Sequence, residues 1–93
     1  GETANVNRWR KQLDLQELTE KEIKASALNA ESKMGTYSIY KIRNELNLNS
    51  VFLCMILPTN DSTIFVKLNT TDSGINILEK EFNNFCSSFR LLK

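Results

Sequence analysis

The residues able to do chemistry in this 93-residue chain are few and dispersed. It has no histidine, no Cys-x-x-Cys pair, no Gly-rich phosphate loop and no run of ligand residues at zinc spacing. The carboxylates are scattered over segments of helical pattern, where ordinary solvation accounts for them. With the types that acid–base, nucleophilic and metal-assisted catalysis bring together ungrouped, the expectation is no enzymatic activity, no metal, no cofactor and no small-molecule substrate.

Recognition chemistry is concentrated in one place. "NRWRK", residues 7–11, sets Arg8, Arg10 and Lys11 around Trp9, and a guanidinium stacked on an indole can hold a base or a peptide. The plainer use of the same residues makes Trp9 the anchor of a first helix, with the three cations facing water. Twelve basic against eleven acidic side chains leave a net charge of +1, far from the excess that phosphate-backbone binding uses, so nucleic acid is not the expected partner. Cys54, inside the apolar run "VFLCMIL", and Cys86, on the apolar side of a helical pattern, read as reduced thiols in a core. That favours an intracellular protein, nuclear or cytoplasmic. Asn60-Asp61-Ser62 and Asn69-Thr70-Thr71 match the glycosylation acceptor pattern, but among eleven Asn residues such matches arise by chance.

The elements that would position these residues follow from periodicity. An apolar fraction of 41% and a charged fraction of 25% suit one globular domain, and no apolar run approaches a membrane span. Gly1 in place of an initiator Met suggests a piece of a longer protein. Val6, Trp9 and Leu13 share one face of a leading helix within residues 1–18. Thr19 and Glu22 form a capping-box pattern opening a helix over 20–34, with Ile23, Ala27, Ala30 and Met34 inward and Gly35 as its left-handed stop. If the two helices fuse, the register supports a weak dimeric coiled coil.

The remainder reads as strands and a final helix. Val51 to Leu57 is continuously apolar and ends at Pro58, as in a strand buried on both faces. "PTNDS" is a turn, and Thr63 to Leu68 alternates, giving a β-hairpin. Asp72 or Ser73 caps a last helix, "INILEKEFNNFCSSFRLL", with Ile75, Leu78, Phe82, Phe85 and Phe89 in one stripe.

Residues 33–42, "KMGTYSIYKI", decide the class. As a helix, "TYSIYKIRNEL" would be the recognition helix of a winged-helix nucleic-acid binder, with Lys41 and Arg43 toward DNA. As a strand it puts Tyr37, Ile39 and Lys41 on one face and Ser38, Tyr40 and Ile42 on the other, which its Thr, Tyr and Ile content favours. The expected fold is therefore α+β: a helix, a three-stranded antiparallel sheet and a C-terminal helix in two layers, with residues 19–93 as the domain. The open edges of such a sheet invite a partner.

"TYSIYKIRNE" followed by "STIFVKLNTTDSGINILEKEF" resembles the C-terminal globular domain of coiled-coil spindle-checkpoint scaffolds of the mitotic-arrest-deficient type, and the RWD-like domains that end kinetochore coiled coils. The resemblance spans roughly residues 19–89. It implies a non-enzymatic homodimer or heterodimer that docks proteins at kinetochores. "RWRKQL", "IKASALNAESK" and "YSIYKIRN" are similar to the platform of β-adaptin appendages, which implies binding of short trafficking peptides. The sequence thus predicts a protein-interaction and dimerisation module, with Arg8, Trp9, Arg10, Tyr37 and Tyr40 as candidate contact residues.

Overall fold

Seven consecutive buried residues, Val51 to Leu57, run through the middle of the molecule. They belong to β3 (Asn47–Pro58), which lies between β2 (Gly35–Asn44) and β4 (Thr63–Thr70), with β1 (Leu28–Ser32) beyond β2. The four strands form one antiparallel sheet of order β1-β2-β3-β4. The structure, a computed structural model, describes residues 1–89. Three helices complete it: α1 (Glu2–Gln12), α2 (Glu20–Ser26) and α3 (Asp72–Ser87).

Alternation along β3 divides the core in two. Phe52, Cys54 and Ile56 pack with Tyr40 and Ile42 of β2 against Val6 and Trp9 of α1, Leu13 at the end of α1, and Ile23 of α2. Val51, Leu53, Met55 and Leu57 pack with Tyr37 and Ile39 against Ile75, Phe82 and Cys86 of α3. A strand whose side chains are apolar on both pleat faces needs cover on both, so the fold has three layers, helix–sheet–helix, in place of the expected two.

The sheet also has four strands where the sequence predicts three. The helix expected over 20–34 ends at Ser26, and Leu28–Ser32 pairs with β2 through the register Leu28↔Ile39 to Ser32↔Gly35. The start holds as expected, with Thr19 and Glu22 making both halves of the capping box. The end differs because Ser26, Asn29 and Ser32 are weak helix formers, Ser26 Oγ donates back to the Ile23 carbonyl at 2.7 Å, and β2 offers a full ladder to the chain beyond. Gly35 does take positive φ, +138°, but it closes the β1–β2 hairpin and stops no helix.

α1 and α2 are separate. Asp14 has φ +59°, and its amide donates to the Lys11 carbonyl while that of Leu15 donates to Arg10, a Schellman-type end that turns the chain away. The following loop is clipped to α1 by Asn7, whose Nδ2 donates to the Leu18 carbonyl and whose Oδ1 accepts from the Leu18 amide, both at 2.9 Å. Asn44 Nδ2 donates to the Leu13 carbonyl at 2.8 Å, tying the end of α1 to the β2–β3 turn. α3 begins with Thr71 as cap, one residue before the expected Asp72 or Ser73. A Cβ at Gly74 would run into the Thr70 hydroxyl, so a larger residue there requires the Thr70 side chain to turn. The helix ends at Ser87, and its expected continuation through residues 90–92 lies outside the described residues.

Two substitutions test this account of the α1–α2 connection. Asn7→Ala removes two partly buried hydrogen bonds and leaves the Leu18 amide and carbonyl without partners, so denaturant melts should lose about 2 kcal/mol. Asp14→Gly relieves the left-handed conformation and should gain about 0.5–1 kcal/mol.

Candidate protein-docking site

The five candidate contact residues separate by depth. Trp9, Tyr37 and Tyr40 are 6%, 3% and 2% exposed. Trp9 meets the Phe65 ring edge-on at 6.3 Å and 77°, and the Tyr40 hydroxyl donates to the Glu2 carboxylate. These three are packing residues, and of the group only Arg8 and Arg10 reach the surface. Arg10 Nε donates to the Gln16 carbonyl at 2.7 Å, holding the loop after α1. The Arg8 guanidinium donates only to the Asn5 side-chain oxygen, and no carboxylate pairs with it among the described residues.

Residues 37–42 lie within β2, so the segment a winged helix would use for recognition is extended. Its cations are committed to α3, with Lys41 Nζ 3.1 Å from Glu79 and Arg43 Nε 2.8 Å from Asp72.

The surface where partner-binding chemistry gathers is around β4, an edge strand. On one pleat face, α3 leaves a groove of about 310 Å³ floored by Val66 and Leu68 and walled by Leu78, Phe82 and Phe85, with Glu81 at its rim. On the other face Phe65, 45% exposed, stands beside Ala4, Asn5 and Arg8 of α1. Phe85, placed by periodicity in the inward stripe, is instead 51% exposed, because Cys86 takes the inward position after Ile75 and Phe82. Helical spacing alone cannot choose between two adjacent apolar residues, whereas a whole turn's contact with the sheet does. Phe65, Val66 and Leu68 were legible as hairpin residues. Their position on an outer strand depends on the order of pairing, which alternation does not encode.

The interior offers little reactivity. Burial pushes the Cys54 thiol up to about 12, with Lys67 pulling weakly the other way, and the Cys86 thiol up to about 11. Desolvation also raises both tyrosine hydroxyls, that of Tyr40 helped by its hydrogen bond to Glu2 and by the charge there. Glu22 is held below the carboxylate range by the Thr19 amide first and its hydroxyl second, as an exposed cap should be. No three His, Cys, Asp or Glu side chains converge among the described residues. No helix among them is long and apolar enough to cross a membrane.

These shifts set an alkaline limit. The native fold keeps Cys54 and Cys86 protonated, while the unfolded chain ionises them above the ordinary value of 9.0, so unfolding releases protons there. Stability should be flat below pH 9 with respect to these groups and fall as pH rises from 9 toward 12. Denaturant midpoints across that range measure it, and a Cys54→Ala, Cys86→Ala double variant should show a shallower decline.

Compared with known proteins, the chain matches no family model, no curated protein and no solved structure.

Proposed function

We propose that this domain is a non-enzymatic protein-interaction and assembly module of a larger intracellular protein, nuclear or cytoplasmic, engaged through the β4 side of its sheet. One observation carries the reading. Three large apolar side chains, Phe65 at 45%, Phe85 at 51% and Ile77 at 75% exposure, lie on β4 and α3, where two of them flank an unpaired strand edge. Exposed apolar surface beside open backbone donors and acceptors is costly in isolation and is relieved by a partner. Both families that the sequence resembles, the kinetochore RWD-like domains and the adaptin platforms, are protein-docking modules, and dimerisation belongs to the same class.

Arg8 and Arg10 keep a part in this reading as surface cations of α1. Trp9, Tyr37 and Tyr40 contribute through packing, by holding α1 and β2 in position around the sheet.

A photo-crosslinking amino acid placed at position 85 in the full-length protein, in cells, should trap one discrete adduct. The same group at position 46, a leucine 95% exposed at the β2–β3 turn, should not. The mass of the adduct separates a second copy from a different chain. Equal, diffuse labelling at both positions would sink the reading.

A further inference from the structure

The two faces of the β4 edge differ in chemistry, and the difference specifies what can pair with it. The face toward α3 is apolar, from Val66 and Leu68 up to Phe82 and Phe85. The face toward α1 is cationic. Arg8 lies beside Phe65, and Lys67 rests over the Phe52 ring at 4.6 Å with its Nζ donating to Gln12. No carboxylate pairs with either cation among the described residues. Next to Arg8, the Asn5 side-chain nitrogen is buried without an acceptor. This flank is rich in donors and positive charge and poor in acceptors.

Building on the interaction-module reading, we propose that β4 takes an extended segment of a partner protein as an added strand, its alternate residues apolar and the residues between them carboxylates. Strand addition follows from the geometry. β4 is eight residues long, carries no proline and only one charge, and its outer backbone edge faces no other strand among the described residues. In an added strand, side chains at i and i+2 fall on one face and i+1 on the other. Apolar residues then enter the groove under Phe85 while the carboxylates meet Arg8 and Lys67.

A second copy of this chain is a poorer occupant. Two β4 strands paired about a two-fold axis normal to the sheet keep like faces together. The join would set Arg8 and Lys67 of both copies on one side without a counter-charge, and like charges across a strand pair are destabilising. The other edge offers less: β1 has five residues, and Asn29 and Glu31 of that strand are engaged with Ser38 and Thr36 of β2.

The test uses two capped heptapeptides with valine and leucine at alternate positions and either glutamate or lysine between them, titrated into the 93-residue chain. The glutamate peptide should bind on the order of tenfold more tightly than the lysine peptide, with the difference shrinking as salt rises. It should slow hydrogen exchange of amides in β4 and leave those of β1 unchanged. Arg8→Glu, a change at an exposed side chain, should invert the preference between the peptides. Equal binding of the two peptides, or protection that misses β4, would overturn the proposal. So would a doubling of mass in light scattering with β4 protected in the absence of peptide, since the occupant would then be a second copy. If these fail while the position-85 crosslink to another protein persists, the module reading stands and only the acidic strand falls.

Discussion

The constraint on which the rest depends is that β3 is apolar on both sides. Val51 to Leu57 alternates between two helical layers, and neither set of side chains has anywhere to go without a helix over it. Each buried aliphatic or aromatic side chain contributes roughly 1.5–3 kcal/mol against the entropy of ordering the chain, so both covers are obligatory. α3 follows β4 directly and lies on one face, while α1 and α2 precede the sheet and fold back over the other. The leading helix is thereby part of the core, with Val6 2% and Trp9 6% exposed.

How α3 sits on its face has a functional consequence. It contacts β3 and β1 and is tied to β2 by the Lys41–Glu79 and Arg43–Asp72 pairs. Half-exposed ion pairs of this kind contribute little stability, about 0–1 kcal/mol each, and they add to the apolar packing of Ile75, Phe82 and Cys86 that seats the helix. Held toward β1 and β2, α3 covers β4 incompletely, and Ile64, Val66 and Leu68 remain half-buried. The groove beside the edge strand is therefore a by-product of where α3 packs on the sheet.

Periodicity made the hairpin, the doubly buried strand, the capping box and the inward positions Val6, Trp9, Leu13, Ile75 and Phe82 legible, because each reports a local pattern that tertiary structure then satisfied. It failed where two patterns coexist. Ile23, Ala27, Ala30 and Met34 fit a helix, and Leu28 to Ser32 serves equally as a short strand once β2 is there to pair with it. The asparagines were opaque for a different reason. Asn7 and Asn44 act as clips between backbone segments far apart in sequence, and nothing local distinguishes them from the other nine in the chain. As for the site, the cations of α1 were visible as a cluster, but the aromatic within it is turned inward and the aromatic beside it in space, Phe65, comes from the far end of the chain.

The sheet treats its two edges unequally. β1 is five residues long, bears Asn29 and Glu31 on one face, and turns at once into β2 through a tight hairpin, all features that discourage a neighbour. β4 is more open: although it too follows a short turn, from Pro58 to Thr63, it is longer, free of proline, and bordered by Phe65 and Phe85 at 45% and 51% exposure. Its lone charge, Lys67, lies over Phe52 toward its own helix layer and so blunts the edge weakly. A bare edge that long would ordinarily promote indiscriminate strand pairing. The cations along the α1 flank oppose that by repelling copies of the same surface, and the same charges admit a strand that brings its own carboxylates. Under the proposed strand addition, selectivity at this edge comes from repulsion of the wrong strand as much as from attraction of the right one.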